Sequence, residues 1–268
     1  MTDERIAAFH RLHASGCFVM PNPWDVGSAR LLEQMGFPAL ATTSAGAAWT
    51  LGRPDNSITL HQALGHLRAV AAAVSVPVNA DFQDGFAREP EEVAANVALA
   101  ADTGVAGLSI EDSTGEEAHP LLDVALAVER VRAAREAMDE SGNGVLLTAR
   151  SEGFICGRPD IAETVRRLQA YADAGADCLY APGLRSRDDI AAVVAAVAPK
   201  PVNLLLHAPF VTVAEAAELG VRRISLGGAL ARAAWGGFLG AARELAEHGT
   251  VSALVDLPDV DGLFSASS

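Results

Sequence analysis

The sequence predicts a (β/α)8 barrel, and three observations lead to that prediction. The chain has 268 residues, which matches the typical length of one α/β barrel. Short apolar runs alternate with alanine- and leucine-rich segments of helical spacing, and eight such pairs can be counted. Half of the residues are hydrophobic and only 5% are aromatic, which suits helices packed closely on a buried parallel sheet. We therefore expect one barrel domain over residues 1–268, with a short C-terminal tail from about residue 255.

The predicted strands are short, rich in β-branched residues, and followed by polar or small residues. They cover Cys17–Met20, Ala39–Thr43, Val76–Asp81, Ala106–Ile110, Val145–Ala149, Cys178–Tyr180, Val202–Leu206 and Arg223–Leu226. The predicted helices lie near residues 25–35, 59–74, 89–103, 121–138, 160–174, 187–197, 212–219 and 228–246. Each strand is thus paired with a helix, as a parallel barrel requires.

Glycines mark the junctions between helices and strands. Gly36, Gly104, Gly175 and Gly220 each follow a helical segment and precede a strand, where a glycine can adopt a positive φ and end the helix. The competing architecture is an open doubly wound sheet, which often carries a glycine-rich dinucleotide loop after its first strand. The segment "PNPWDVGSA" at that place has one glycine and two prolines. A nicotinamide or flavin cofactor is therefore not expected.

Charge and cysteine content exclude several classes of function. The formal net charge is −14, with 34 acidic and 20 basic residues, so a nucleic-acid partner is not expected. The three cysteines lack metal-ligand spacing and are expected to be reduced thiols of a cytoplasmic protein. No apolar stretch reaches the ~18 residues that span a bilayer, and the N-terminus does not resemble a signal peptide. We expect a soluble protein with no membrane partner.

Two carboxylates close neighbouring strands of the predicted barrel. Asp81 ends the third predicted strand and Glu111 follows the fourth. Active sites of α/β barrels lie at the C-terminal ends of the strands, and oxygen ligands in small numbers suit Mg²⁺, with Mn²⁺ able to replace it. The alternative is that either acid caps a helix or pairs with an arginine. Asp112 fits equally well as a residue behind the site or as an ordinary loop acid.

Other strand-end residues could bind an anionic substrate. Arg150 closes the fifth strand and could hold a carboxylate with its planar fork, or form a structural salt bridge instead. The segment Thr43–Gly46 after the second strand could offer backbone N–H groups to an anion. Asn203 and His207 near the end of the seventh strand could donate to an oxyanion, although a histidine there is commonly a packing residue.

The motifs themselves resemble a known superfamily. The strings "TTSAGAAWTLGRPD", "VPVNADFQDGF", "AGLSIEDST" and "LLTARSEGF" occur in the order of strands two to five. In this order they resemble the isocitrate lyase and phosphoenolpyruvate mutase superfamily, and the likeness covers most of the chain. The resemblance implies a Mg²⁺ enzyme that makes or breaks a C–C or P–C bond next to the carbonyl of a 2-oxo acid.

The resemblance also implies roles for single residues. Asp81 matches the principal metal ligand, Glu111 a second acid near the metal, and Asp55 an acid of its outer shell. Arg150 matches an arginine that contacts the substrate. The remaining implied substrate-binding residues are Trp24, Asp25, Ser44, Ala45 and Gly46. The family further implies a homotetramer or dimer of dimers, and we expect the final helix, with Trp235 and Phe238, to be exchanged between subunits.

Two departures from the family pattern narrow the expected activity. Gln83 stands where many members have a second aspartate. The loop after Glu111 reads "STGEEAHP", without the lysine and cysteine that the lyases carry there and without the loop that the mutases use. True isocitrate lyase activity is therefore not expected. Within this loop His119 is the one residue whose ordinary pKa suits proton transfer, although a surface role is the simpler interpretation.

Three functions follow as expectations. The first is a Mg²⁺-dependent lyase-type enzyme that cleaves a C–C bond of a small 2-oxo acid, or decarboxylates it, through a stabilised enolate. Its expected catalytic residues are Arg150, Glu111, His119 and His207. The second is P–C chemistry of the phosphonomutase or phosphonopyruvate hydrolase kind. The third is a protein that binds a 2-oxo acid without turnover.

Overall fold

The computed structural model describes residues 4–265 and has eight parallel strands in one curled sheet. The strands are β1 Phe18–Val19, β2 Leu40–Ala41, β3 Val78–Asp81, β4 Gly107–Glu111, β5 Leu146–Arg150, β6 Cys178–Tyr180, β7 Val202–Leu205 and β8 Arg223–Ser225. Their hydrogen-bonded order is β1-β8-β7-β6-β5-β4-β3-β2. At the remaining seam the Ala41 N–H donates to the Pro21 carbonyl at 3.0 Å. The predicted (β/α)8 architecture is confirmed.

Helices alternate with the strands around the sheet. They are α1 Glu4–Ala14, α2 Val26–Gln34, α3 Ser44–Thr50, α4 Leu60–Ala73, α5 Pro90–Ala101, α6 Val124–Ser141, α7 Ile161–Asp173, α8 Arg187–Val197, α9 Val213–Glu218, α10 Ala229–His248 and α11 Val260–Ser265. The eight predicted helices are all present within a few residues, whereas α1, α3 and α11 were not predicted. The region from about residue 255, expected to be an irregular tail, therefore contains a helix.

Local sequence signals explain where the helices begin and end. Asp25, Thr59 and Asp160 cap α2, α4 and α7, because each side chain accepts a backbone N–H three residues later. The four junction glycines Gly36, Gly104, Gly175 and Gly220 have φ values of 85°, 90°, 105° and 88°, as their spacing predicts. A β-branched residue would be strained at these positions.

The interior of the barrel is closed at its N-terminal end by α1. Phe9 of α1 is fully buried and meets the Phe18 ring edge-on, with ring centroids 6.3 Å apart. His13 lies beside both rings and accepts a hydrogen bond from Arg223 of β8 at 3.2 Å. The opposite, C-terminal end remains open as the barrel mouth.

The C-terminal segment behaves differently from the rest of the chain. Only the first turn of α10 packs on the barrel, through Ala231, and most of the following residues of α10 are exposed. A Cβ atom placed on Gly27 would lie 3.5 Å from the Phe264 ring, so α11 reaches the start of α2. Within residues 4–265, no helix is long and apolar enough to cross a membrane.

Candidate active site

Three carboxylates converge on one arginine at the barrel mouth. The Arg150 Nη1 atom lies 2.7 Å from Asp81 Oδ1 and 3.0 Å from Glu111 Oε2. Its Nε and Nη2 atoms each lie 2.9 Å from Glu152 Oε1. The four residues lie at, or just after, the ends of β3, β4 and β5. The strand register pairs Glu111 with Arg150 and Asp81 with Ser109 of β4, which brings these ends together. The predicted pairing of strand-end acids with Arg150 is thus a network and not a single salt bridge.

Asp81 is oriented by groups from the neighbouring strand and helix. Its Oδ2 atom accepts the Ser44 N–H at 2.9 Å and the Ser44 hydroxyl at 2.8 Å. Its own N–H donates to the Thr42 hydroxyl at 2.9 Å. Ser44 was predicted to bind substrate, but in the structure its backbone N–H donates to Asp81. Ala45, the next residue of α3, lines the cavity.

Burial and crowding of acids shift the charges at the mouth. Desolvation raises the pKa of Glu111 to about 8; Glu152 and Asp81 add to the rise, whereas Arg150 opposes it. Desolvation also raises the pKa of Glu152. For Arg150, desolvation would lower the pKa, but the three carboxylates outweigh it and hold the pKa well above its usual range. The mouth therefore contains more carboxyl groups than the single charge of Arg150 can neutralise.

A cavity of about 570 Å³ opens above this network. Its wall includes the acids and Arg150, the loop residues Glu116 and Glu117, and, deeper in the barrel, Asn203 and Arg223. The Arg150 guanidinium lies over the Tyr180 ring, 5.2 Å from the centroid. A cavity of this size can hold a small carboxylic acid together with a cation and water.

Gln83 occupies the position at which many members of the resembled superfamily have a second aspartate. Gln83 is buried with a positive φ of 49°, and its amide donates to Asn56 Oδ1 at 3.0 Å. The Asp84 carboxylate accepts the Phe86 N–H at 2.8 Å and so shapes the loop. Asp55 is exposed and lines the cavity. Neither Gln83 nor Asp84 is part of the wall of the main cavity.

Several predicted residues have other tasks in the structure. Asp25 is exposed and caps α2, while Trp24 packs against Gly46, where a Cβ would lie 2.7 Å from the Trp24 Cβ. The His207 Nε2 atom accepts from Arg185 at 2.8 Å, and its ring packs near Phe210. None of Trp24, Asp25, Gly46 and His207 is part of the cavity wall. Local capping and packing account for all four.

His119 and Asp112 also turn away from the mouth cavity. His119 lines a separate cavity behind the loop that follows β5, so it does not face Arg150. Asp112 is 2% exposed. Its Oδ2 atom accepts from Tyr171 at 2.6 Å and Arg167 at 3.0 Å, and its Oδ1 atom accepts the Glu152 N–H at 2.8 Å. This resolves the open alternative for Asp112, which lies behind the site and holds Glu152 in place.

Two arginines of the cavity wall, Arg223 and Arg232, were not predicted as site residues. Glu152 lies two residues after the strand-end Arg150, in the region where polar residues of a barrel are active-site candidates. Arg223 is a strand residue, and Arg232 lies on the last barrel helix. A single arginine in a strand or a helix gives no sequence signal of its direction. Asn203, predicted to bind substrate, lines the cavity. Its amide N–H donates to Ser225 and its amide oxygen accepts from Arg223.

The donor set at the mouth suits a hard divalent cation. Within residues 4–265, no three His, Cys, Asp or Glu side chains form a ready metal-binding group. Mg²⁺, however, commonly takes one or two carboxylates and completes its octahedron with water and substrate oxygens. Asp81 and Glu111 line the cavity, and a cation would replace Arg150 as the partner of their oxygens. Crowding of the buried acids favours an added positive charge. The residues therefore fit Mg²⁺.

Comparison with known proteins identifies the family. A family model described as phosphoenolpyruvate phosphomutase matches residues 9–246. The solved structure of a Burkholderia cenocepacia J2315 protein, provisionally described as a lyase/mutase, is 46% identical with a TM-score of 0.94, and the match covers 98% of this chain and 97% of that one. Phosphonopyruvate hydrolase, solved in complex with oxalate and Mg²⁺, is 27% identical with a TM-score of 0.85, covering 100% and 96%.

Another relative is an oxaloacetate decarboxylase. The oxaloacetate decarboxylase of Bradyrhizobium diazoefficiens is 31% identical over 200 residues, which cover 69% of this chain and 65% of the relative. The family match spans the barrel strands and all four residues of the Arg150 network. The chain therefore belongs to the phosphoenolpyruvate phosphomutase family and is an enzyme of the superfamily that contains the isocitrate lyases and phosphoenolpyruvate mutases.

Proposed function

We propose that this chain is a Mg²⁺-dependent enzyme that cleaves a carbon–carbon bond next to the carbonyl of a small 2-oxo acid. Decarboxylation of an oxaloacetate-like diacid is the leading reaction, and Mn²⁺ can replace Mg²⁺. The observation that supports this most is the convergence of Asp81, Glu111 and Glu152 on Arg150 at the wall of the cavity. The similarity to an oxaloacetate decarboxylase adds support.

The chain's own residues divide the work of holding the cation and the substrate. Asp81, fixed by Ser44, is the proposed principal ligand, while Glu111 and Asp55 act beside it through water. A bound Mg²⁺ would polarise the 2-oxo carbonyl and stabilise the negative charge of an enolate. Arg150 orients the substrate carboxylate with its fork, and Ala45 and Asn203 line the floor and wall around it.

Decarboxylation needs one proton after the bond is broken. The C3–C4 bond breaks, its electron pair moves towards the 2-oxo oxygen, and carbon dioxide leaves; C3 then takes a proton. The Glu111 carboxyl lines the cavity and is the proposed donor of that proton. His119 and His207 lie outside the cavity and are not part of this proposal.

A lyase acting on a larger substrate is the second version of the same chemistry. Glu116 and Glu117, from the loop that lacks the lyase cysteine, line the cavity and are the proposed acids in that case. Cys156 also lines the cavity, but desolvation raises the pKa of its thiol to about 11. The thiol therefore stays protonated and does not act as a thiolate base.

A substrate panel tests the proposal. Oxaloacetate, methylisocitrate, other 2-substituted malates and phosphonopyruvate are each incubated with enzyme and Mg²⁺ or Mn²⁺, and pyruvate, glyoxylate or phosphate is measured. We expect metal-dependent pyruvate formation from oxaloacetate well above that of Mg²⁺ alone. Asp81→Asn should abolish it, whereas Asp102→Asn, at the C-terminus of α5, should not.

The alternatives have distinct outcomes in the same panel. Phosphate release from phosphonopyruvate, without turnover of the carbon acids, would replace the proposal with P–C chemistry. Tight Mg²⁺-dependent oxalate binding with no turnover of any compound would favour a binding protein. No turnover and no oxalate binding would contradict the site assignment itself.

We also propose that α10 packs on a second copy of the chain, within a homotetramer or dimer of dimers. Trp235 and Phe238 touch edge-on at 5.7 Å yet are 37% and 61% exposed, and Leu239 is 41% exposed. Apolar patches of this kind commonly mark subunit contacts. Phe238→Glu should lower the mass measured by light scattering, and Glu247→Gln on the same helix should not.

A further inference from the structure

Two side chains of α7 meet the carboxylate of Asp112 behind the barrel mouth. The Tyr171 hydroxyl donates to Asp112 Oδ2 at 2.6 Å, and Arg167 Nη1 donates to the same oxygen at 3.0 Å. All three residues are buried. Hydrogen bonds to a charged group are strong, and more so where water is excluded. Asp112 is therefore held firmly from the helix layer.

Both donors are themselves fixed by their surroundings. The Tyr171 ring is part of the hydrophobic core. Desolvation raises the pKa of its phenol and the charge of Asp112 adds to the rise, so the hydroxyl keeps its proton and donates it. Arg167 Nε donates to Glu163 Oε1, one turn earlier on α7, at 2.7 Å, which holds the plane of the guanidinium.

The other oxygen of Asp112 reaches the mouth through Glu152. Asp112 Oδ1 accepts the Glu152 N–H at 2.8 Å, so the position of the Asp112 carboxylate determines where the Glu152 backbone lies. The Glu152 carboxylate in turn lies 2.9 Å from both Nε and Nη2 of Arg150. A continuous chain of contacts thus runs from α7 to the arginine that faces the cavity.

Arg167 also closes the base of the loop between β4 and α6. Its Nη1 atom donates to the Leu122 carbonyl at 2.9 Å, and the Leu122 N–H donates to the Asp112 carbonyl at 2.9 Å. Residues 113–121, between these two points, include Gly115–Glu117 of the cavity wall. One guanidinium therefore restrains both the start and the end of this loop.

We propose that Arg167 and Tyr171 are positioning residues of the active site, which act through Asp112 to orient Glu152 and Arg150. This inference rests on the proposed function, since it concerns how the arginine that orients the substrate carboxylate is held. Neither Arg167 nor Tyr171 is part of the mouth cavity wall. Their effect therefore reaches the substrate only through the chain of contacts.

The variants should lose activity in proportion to the contacts that they remove. Loss of a group that orients a site residue from behind commonly costs about 10- to 100-fold in affinity or activity. Tyr171→Phe removes one hydrogen bond and keeps the ring, so kcat/KM for oxaloacetate should fall by about 10-fold. Arg167→Met loses the contacts with Asp112 and Leu122 together, and the fall should approach about 100-fold. Arg167→Lys keeps a cation beside Asp112 and should restore part of the loss.

An ion pair on the opposite face of the barrel provides the matched control. Arg135 of α6 lies 2.9 Å from Asp177, which directly precedes β6. This is the N-terminal end of the strand, where barrel residues serve stability. Arg135→Met should therefore lower stability in urea and leave both kcat/KM and oxalate binding unchanged.

Calorimetry with oxalate in excess Mg²⁺ separates positioning from a purely structural role, which would leave the affinity of the folded protein unchanged. Tyr171→Phe and Arg167→Met should weaken oxalate by about 10-fold or more, and Arg135→Met should not. Unchanged affinity and kcat/KM in folded Tyr171→Phe, or an equal loss in Arg135→Met, would overturn the inference. If the wild type binds oxalate but turns over no substrate, the proposed function alone fails, and oxalate affinity still decides on the positioning role.

Discussion

The mouth of the barrel holds a half-buried arginine and the interior a fully buried one, and the two differ in their neighbours. At the mouth, Arg150 lies within 3.0 Å of Asp81, Glu111 and Glu152. In the interior, Arg223 donates to Asn203 Oδ1 at 2.9 Å, Thr148 Oγ1 at 3.0 Å and His13 Nε2 at 3.2 Å, all neutral groups. Accordingly the pKa of Arg150 is raised, whereas desolvation lowers that of Arg223.

This difference indicates in which region the arginine can exchange its binding partners. At the mouth, oppositely charged groups meet beside an open cavity, so a cation or an anionic substrate can replace one partner by another. In the interior each donor of Arg223 faces a buried acceptor, and removing it leaves those acceptors without water to satisfy them. We therefore expect mutations at the mouth to affect activity and those in the interior to affect stability.

The largest expected effect is on catalysis at the mouth. Arg150→Met removes the cation that orients the substrate carboxylate, and kcat/KM should fall by at least about 100-fold. Circular dichroism should show that the barrel remains folded. Arg166→Met, at an exposed position on α7, is the control and should keep full activity. Near-normal activity of Arg150→Met would place the chemistry elsewhere.

The next effect is on stability in the interior. Arg223→Met leaves the acceptors of Asn203, Thr148 and His13 unpaired, and should lower the free energy of unfolding by about 3 kcal/mol. Urea unfolding measures the change. Arg187→Met breaks an exposed pair with Glu215 and should cost less than about 1 kcal/mol. If the two substitutions cost the same, the interior network does not stabilise the fold.

A smaller effect depends on pH and acts through His13. Desolvation, together with the charge of Arg223, lowers the pKa of His13 from 6.5 to about 3. The unfolded chain therefore binds more protons than the folded chain between these values, and stability is present above pH 6.5 and lost as pH falls. Between pH 7 and pH 5 the contribution of His13 should fall by about 1 to 2 kcal/mol.

Comparison of variants isolates the contribution of His13. The stability of His13→Gln should vary less between pH 7 and pH 5 than that of the wild type. His248→Gln, at the exposed end of α10, should keep the wild-type slope. An unchanged slope in His13→Gln would mean that other groups carry the acid sensitivity.

The sequence predicted the repeating parts of the molecule better than its connections. All eight strands and the junction glycines follow from periodicity and from the φ > 0 requirement. Asp81, Glu111 and Arg150 were predicted because barrel chemistry lies at strand ends. Helices α3 and α11 have seven and six residues, and a segment of this length is hard to distinguish from a loop. Helix α9 is equally short but is the only helix between two predicted strands, so the strand–helix alternation predicts it.

Side-chain direction explains what the sequence could not predict about the site. His207 and His119 lie in loops after strands, and nothing in their positions tells whether a ring faces the cavity. Asp25 has the sequence position of a helix cap as well as that of a site residue, and capping is what the structure has. Arg232 lies on α10, and its position at the cavity and its stack on Trp49 are visible only in the structure.

The most direct test of the account is whether the mouth acids hold a divalent cation. Thermal unfolding of the metal-free protein is measured with increasing Mg²⁺ in the presence of oxalate. We expect the wild type and Asp102→Asn to be stabilised by about 2.7 kcal/mol when the ligand is at 100 times its Kd, and Asp81→Asn to show no response. A wild type that does not respond, or an Asp81→Asn variant that responds fully, would contradict the account.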